Sequence, residues 1–302
     1  MKNWKFFLMM IIAVLVWAAA FPFIKIGLEE LSFINLTIMR FLIVCISFIF
    51  ILVIKKNVFT KIHKKDILPI FILGFFGVII YHLGLNYGEQ FISAGAASLI
   101  IATIPILIVI FALIFLKEKI THMKIIGIII ALIGVVIISI LGTNQKIEIN
   151  YAIAAIAVFV AALMGAFYTI AGKKMLERYT GFSLTAYAML FGSIGLIPFI
   201  RMDLFSEVSN MSINGWFAII FLGVFSTVIG YGIWYIGLNL RTASEISIYL
   251  YAIPVISTII SYFLLNEKIT LFFVFGGALV ILGLILVNLK NKKIHNTVNN
   301  SK

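Results

Sequence analysis

Very few polar side chains interrupt the long apolar runs of this chain, and these few are the candidates for chemistry. Arg40 is the only formally charged residue inside a run, and His82 is the only histidine inside one. An arginine in an apolar segment either snorkels to the membrane surface or lines a cavity, where it attracts an anionic group of a ligand. His82 is either a hydrogen-bonded structural residue or a proton carrier, because imidazole titrates near neutral pH.

Aromatic side chains that can form hydrogen bonds lie within several of the runs. Such rings line small-molecule cavities, where the ring packs against the ligand and the O–H or N–H group orients it. No acidic residue lies in the middle of a run, so a carboxylate that exchanges protons has no obvious candidate. Together with Arg40 and His82, the predicted substrate-binding residues are Trp17, Tyr81, Tyr168, Tyr231 and Trp234.

Pro105 and Pro254 each interrupt an apolar run. Proline removes a backbone hydrogen bond and clashes with the preceding turn, so each residue is expected to kink or break its helix. Two interpretations remain, a kink that only shapes packing and a role in gating. Their paired occurrence favours gating, which is the role we predict.

The runs have the composition of a protein that lipid surrounds. Hydrophobic residues make up 63% of the 302 residues and charged residues 11%, with a mean hydropathy of +1.20. A soluble chain is about 45–50% apolar and about 25% charged. Since a helix needs about 20 apolar residues to cross a bilayer, ten crossings are predicted: 6–24, 33–54, 67–87, 91–116, 125–141, 151–171, 182–200, 216–238, 246–265 and 271–289.

The basic residues lie mainly in links on one side of these runs. If the N-terminus is cytoplasmic, only Lys25, at the outer end of the first run, and Lys146, Arg201 and Lys268 fall on the other side. By the positive-inside rule, the chain is a multi-pass protein of the cell (inner or cytoplasmic) membrane with both termini cytoplasmic. This distribution also accounts for the net charge of +12 without nucleic acid as a partner.

The sequence repeats itself at the offset of 149 that separates Glu118 from Glu267. The tetrapeptide at 118–121 recurs at 267–270, and further matches pair Ala94 with Ala243, Pro105 with Pro254, Gly127 with Gly276 and Gly134 with Gly283. Each half then holds five helices, and an odd number inverts the second half relative to the first.

The predicted fold is an all-α integral membrane protein with ten transmembrane helices in two inverted five-helix repeats. The first repeat spans residues 1–145, and the second spans residues 146–302 and ends in a short basic tail. Inverted repeats are typical of secondary transporters, in which a central site opens alternately to each face.

These features together resemble the EamA-type permeases of the drug/metabolite transporter superfamily, over nearly the whole chain. The resemblance is carried by Trp17-Ala18 with Lys25, by Arg40, by the two prolines, and by the two Glu-Lys-Ile-Thr junctions with their following glycines. One departure is that the usual Trp-Gly of the first helix is Trp17-Ala18 here. The resemblance implies inverted halves, cytoplasmic termini and export of amino acids or other metabolites through a central cavity, without identifying the substrate.

The predicted function is a secondary transporter that exports amino acids or related small metabolites by alternating access. Its expected partners are a small-molecule substrate and the bilayer. A drug or organic-cation exporter of the same superfamily and a channel are the alternatives. Two complete halves allow a monomer, and the oligomeric state stays open.

No cofactor, metal or enzymatic activity is expected. The sequence lacks the Gly-x-x-x-x-Gly-Lys-Ser/Thr motif of nucleotide-driven proteins, so a gradient must supply the energy. A metal-dependent enzyme needs paired acids or closely spaced ligands, and the four histidines and the single cysteine, Cys45, do not offer them.

Overall fold

The computed structural model describes residues 3–55, 58–116, 122–141, 149–241 and 243–288. Within these ranges the chain is all-helical and contains no β-strand. The repeated junction at 118–121 lies outside the described residues. The helices are α1 (Asn3–Leu28), α2 (Phe33–Ile54), α3 (Lys64–Phe91), α4 (Ala94–Ile101), α5 (Ile104–Leu116), α6 (His122–Leu141), α7 (Ile149–Met175), α8 (Gly181–Ile194), α9 (Asp203–Ser209), α10 (Ile213–Leu240), α11 (Ala243–Ser247), α12 (Ala252–Leu265) and α13 (Leu271–Asn288).

Six segments of the described chain are long and apolar enough to cross a membrane: Trp4–Leu28, Phe33–Ile54, Lys64–Phe91, Ala94–Phe111, Ile149–Met175 and Ile213–Leu240. The other four predicted runs overlap shorter apolar helical stretches, at Ile125–Gly134, Gly181–Ile194, Tyr249–Leu265 and Leu271–Gly283. Large apolar side chains are exposed on the outside of the bundle, among them Phe50 at 64% and Phe263 at 78%. Such surfaces suit lipid rather than water, which agrees with the membrane-embedded, all-helical class predicted from the sequence.

The runs that contain Pro105 and Pro254 are broken, as predicted, but each break precedes its proline. Helix α4 ends at Ile101, and α5 begins with Pro105 as its second residue. Pro254 is the third residue of α12, after a 3₁₀ segment at Ile248–Tyr251. The first turn of a helix has no internal partners for its N–H groups, so proline costs least there.

The seventh predicted run ends early. Helix α8 stops at Ile194, and Gly195 caps it. Pro198 follows, and it has no N–H group to donate to the Ile194 carbonyl oxygen, so the α-helical ladder cannot continue through it. The remainder of the run forms a 3₁₀ turn, Ile197–Phe199. The unpredicted helix α9 comes next, and its Glu207 accepts hydrogen bonds from Ser32 N at 3.0 Å and from Asn35 Nδ2 at 2.8 Å.

Several elements recur at the offset of 149. Helices α3 and α10 match at both ends, and each contains a π-helical segment, Phe75–Ile80 and Phe221–Ile229. Helices α4 and α11 both begin at the offset. Helix α1 packs against α10 and α12, and its counterpart α7 packs against α3 and α5.

Helices α6 and α13 approach each other through glycines. A Cβ atom on Gly134 would lie 2.6 Å from the Gly276 carbonyl oxygen, and one on Gly283 would lie 2.4 Å from the Gly127 carbonyl oxygen. The two backbones are therefore in contact, a form of packing that small residues permit in lipid. The offset converts one contact into the other, which is the reciprocity of a two-fold interface.

Candidate functional site

A cavity lies inside the helical bundle. Its lining comes from α1, α2, α3, α4 and α5 and from α7, α10 and α12. Six of the seven predicted substrate-binding residues line this cavity: Trp17, Arg40, Tyr81, Tyr168, Tyr231 and Trp234.

The aromatic residues form one connected cluster on a wall of the cavity. The Trp17 ring centroid lies 5.3 Å from that of Tyr231 and 5.3 Å from that of Trp234. Tyr168 and Tyr231 meet edge to face at 5.8 Å. Trp17 Nε1 donates a hydrogen bond to the Ser226 carbonyl oxygen at 2.9 Å, which fixes the indole of α1 against α10.

Glycines on facing helices make room for these rings. A Cβ atom on Gly77 of α3 would lie 2.3 Å from Tyr168 Cδ2, and one on Gly230 of α10 would lie 2.6 Å from Trp17 Nε1. Any larger residue would displace the ring that it faces. Tyr168 and Trp17 can therefore occupy these positions on the cavity wall only because each faces a glycine, Gly77 and Gly230 respectively.

Arg40 does not reach toward the membrane surface. Its side chain is 2% exposed and lies inside the bundle. Nε donates to Thr227 Oγ1 at 2.9 Å, and Nη2 donates to Ser226 Oγ at 3.1 Å. Among the described residues no carboxylate forms a salt bridge with Arg40, so hydroxyl groups hold a guanidinium whose charge stays available to a ligand.

His82 lies behind the cavity wall rather than on it. The ring is fully buried and packs at 4.8 Å against both Phe41 and Tyr81, and Nδ1 lies 3.1 Å from the Val78 carbonyl oxygen. Pro105 and Pro254 do not line the cavity, but their sequence neighbours Ile104 and Ile253 do. These three residues thus border the site without facing its volume.

Glu89 is not among the residues predicted from the sequence. The third predicted run ends at Tyr87, whereas α3 continues to Phe91 and buries the Glu89 side chain completely. Neither carboxylate oxygen has a hydrogen-bond partner among the described residues. A signal was present, because Glu89 follows the cavity-lining Leu85 by four residues and such a spacing places two side chains on one helix face.

The described part of the chain contains no group of three His, Cys, Asp or Glu residues that could hold a metal ion. A second carboxylate, that of Glu267 in the link between α12 and α13, caps α4. Its Oε1 accepts from Ala94 N at 2.8 Å, and its Oε2 accepts from Gly95 N at 3.3 Å. This contact joins the second repeated junction to a helix of the first half.

Comparison with known proteins agrees with this architecture. The EamA-like transporter family matches residues 4–140 and again residues 152–289. A solved crystal structure shares the fold with a TM-score of 0.65 at 19% identity, over 95% of this chain and 98% of the other.

Three relatives are similar over most of their length. An uncharacterized transporter of Archaeoglobus fulgidus is 41% identical, over 95% of this chain and 99% of the relative. The uncharacterized transporter YdfC of Bacillus subtilis is 32% identical, over 92% and 89% respectively. A probable terminal-alkyne amino-acid exporter of Streptantibioticus cattleyicolor is 28% identical, over 95% of each chain. The resemblance found in the sequence is therefore confirmed, and the chain belongs to the EamA-like transporter family.

Proposed function

We propose that this transporter exports amino acids or related small metabolites across the cell membrane by alternating access. The observation that carries the proposal is Arg40, a buried guanidinium without a carboxylate partner among the described residues, which lines an aromatic cavity. A cation in such a place attracts a carboxylate, and the rings suit an apolar side chain. The similarity to a probable amino-acid exporter supports the same substrate class.

The proposal includes ten crossings in two inverted halves, residues 1–145 and residues 146–302, with both termini cytoplasmic. The matched bounds of α3 and α10 support two equivalent halves, and so does the reciprocal glycine contact between α6 and α13. In secondary transporters, inverted halves that exchange conformations expose a central site to one face and then the other.

In this mechanism Arg40 binds the carboxylate of the substrate. Trp17, Tyr81, Tyr168, Tyr231 and Trp234 form the wall of the site, and His82 supports that wall through its contacts with Tyr81 and Phe41. The helix breaks before Pro105 and Pro254 serve as hinges, because residues between two helix ends can change their backbone angles without breaking a helical ladder.

The test uses the purified chain in proteoliposomes with a panel of radiolabelled amino acids. We expect saturable uptake that substrate on the opposite side stimulates, as a carrier requires. Arg40→Ala should raise KM about tenfold or more, since a lost charge-assisted hydrogen bond is worth about 1.5–3 kcal/mol. Trp17→Ala should reduce flux, because it removes a wall of the site.

Arg201→Ala is the matched control, since the Arg201 side chain is 70% exposed and lies in a link outside the cavity. It should transport like the wild type. Wild-type kinetics in a well-inserted Arg40→Ala variant would contradict the proposed site. Non-saturable flux would indicate a channel, and uptake restricted to organic cations would indicate the other exporter class.

A further inference from the structure

Glu89 is the buried ionisable group that the proposed transport site leaves unexplained. The side chain has 0% exposure, and both Oε1 and Oε2 lack a hydrogen-bond partner in the described structure. A carboxylate in this state has lost its water without any replacement, which is strongly unfavourable for the charged form. An intramembrane acid of this kind marks an ion or proton pathway.

Glu89 lies one helical turn beyond the cavity. Leu85 precedes it by four residues on α3 and lines the cavity, and Ile24 of α1, which precedes Lys25, lines the same cavity. Four residues of helix advance by about 6 Å. Helices α1, α3 and α4 pack against one another here, so the carboxyl group is sealed at the junction between the cavity and one end of the bundle.

The charged groups that act on Glu89 come from three other elements. Lys25 of α1 and Arg40 of α2 attract its negative charge, and Glu267 from the link between α12 and α13 repels it. Arg40 is hydrogen-bonded to Thr227 and Ser226, and Glu267 to the backbone of α4. The positive charge of Lys25 is also attracted by the carboxylates of Glu267 and Glu29.

The remaining element that packs against this turn of α3 is apolar. A Cβ atom on the adjacent Gly88 would meet Val158 and Ala154 of α7. Of the two nearby cations, Arg40 is hydrogen-bonded to α10, and Lys25, which forms no salt bridge with Glu89 in the described structure, is the one that can pair with Glu89 when the helices move.

We propose that Glu89 is a proton-binding site that couples opening of this end of the bundle to proton movement. The proton is the cation that fits, because the carboxyl group is fully enclosed and the described residues around it provide no second acidic ligand set for a metal. In the closed arrangement seen here, Glu89 holds the proton as a neutral carboxyl group. The inference rests on the proposed transport function.

Opening this end would hydrate the carboxyl group. Its O–H bond then breaks, the proton passes to water, and the carboxylate pairs with the Lys25 ammonium group. This end can close on the charged form only while Lys25 is paired with it, and the carboxyl group regains a proton through the cavity when the opposite end is open. Release of the proton on one side and uptake from the other would thus move one proton across the membrane in each cycle.

The first test needs no substrate. Infrared spectra of the reconstituted wild type at neutral pH should contain a protonated-carboxyl band that shifts in D₂O. The band should be lost in Glu89→Gln, which copies the neutral group, and kept in Glu89→Asp. The control variant Glu177→Gln, which changes an exposed acid in the link after α7, should keep it. Identical spectra for the wild type and Glu89→Gln would overturn the proposal.

The second test uses the amino acid that the wild type transports best in the panel described above. Glu89→Gln should retain exchange of labelled for unlabelled substrate but lose accumulation driven by a pH gradient. Accumulation equal to that of the wild type would overturn the coupling role. If the wild type moves no amino acid, the proposed function fails, and the infrared result still decides whether Glu89 carries a proton.

Discussion

Tyr168 and Tyr235 are neighbours in the bundle whose hydroxyl groups have different surroundings. Their ring centroids lie 5.2 Å apart. Tyr235 Oη donates to the Tyr168 carbonyl oxygen at 2.8 Å, whereas Tyr168 Oη has no partner in the described chain and its ring lines the cavity. A buried hydroxyl group without a partner calls for an explanation, and a substrate that bonds to it would supply one.

The pair provides a prediction at this scale. Tyr168→Phe should leave thermal stability unchanged and raise the KM for transport, because it removes a donor that only the substrate uses. Tyr235→Phe should lower the free energy of unfolding by about 1 kcal/mol, the net value of one hydrogen bond, and leave KM unchanged. Thermal unfolding in detergent and uptake in proteoliposomes measure the two effects. An unchanged KM in Tyr168→Phe would remove Tyr168 from the site.

Residue types predicted the arginine and the hydrogen-bonding rings of the cavity lining, and they failed at Glu89 and His82. Hydrogen-bonding rings within apolar runs are costly in lipid and therefore tend to face the interior, which is why six of the seven predicted residues meet at the cavity. Glu89 was not predicted because a charge-poor run, by definition, ends before a charged residue, so the third run ended at Tyr87. His82 was predicted on the wall, but the sequence carries no signal that distinguishes a lining residue from the one packed behind it.

At the scale of elements, the contact between α6 and α13 has no space for a side chain larger than hydrogen at Gly134 and Gly283. Gly283 faces backbone atoms of Gly127 and Ala131 at 2.4 and 2.7 Å from its virtual Cβ. Backbone cannot rotate away as a side chain can. Gly277 on the same helix has only the Leu99 side chain nearby, at 3.6 Å, which is ordinary contact.

Gly283→Ala should therefore destabilise the protein by about 1–3 kcal/mol, the usual effect of overpacking. Gly277→Ala, the matched control, should leave stability close to that of the wild type. The midpoint of thermal unfolding in detergent compares the two variants. Equal midpoints would show that α6 and α13 separate without penalty.

Helix positions were the most predictable feature of the fold, because hydropathy alone determines which segments avoid water. The ends of the helices were less predictable than their positions. Pro198 ended α8 where the apolar run continued, and α9 is too short and polar for a search at membrane length to find. The π-helical segments of α3 and α10 were not predicted, because hydropathy does not distinguish a π-helix from an α-helix.

At the scale of the whole molecule, two links meet on one side of the bundle. Arg178, in the link between α7 and α8, forms a 2.7 Å salt bridge with Asp66 at the start of α3. Tyr179 Oη donates to Asp66 Oδ2 at 2.9 Å. Burial, and to a smaller extent the Asp66 carboxylate, raise the pKa of the Tyr179 phenol. The links before α3 and after α7 therefore share a face.

Single cysteines introduced in a Cys45→Ser background test the proposed orientation. Cysteines at Lys61 and Glu177 should react with an impermeant maleimide only after cells are permeabilised. A cysteine at Met202, which is 84% exposed beyond α8, should react in intact cells. If the cysteines at Lys61 and Glu177 were labelled from different sides of the membrane, the two links would not share a side. The proposed inverted arrangement of the halves would then be wrong as well.

The offset of 149 repeats the backbone but not the two buried ionisable groups of the proposed mechanism, Arg40 and Glu89. The counterpart of Arg40 is Met189, and that of Glu89 is Leu238, and both counterparts are fully buried. If the halves exchange conformations, the inward-facing and outward-facing forms of the empty carrier would have related backbones. Their free energies would differ, because Arg40 and Glu89 lie in only one of the halves. The unloaded protein should rest predominantly on one side, and the rate of its return step would depend on direction.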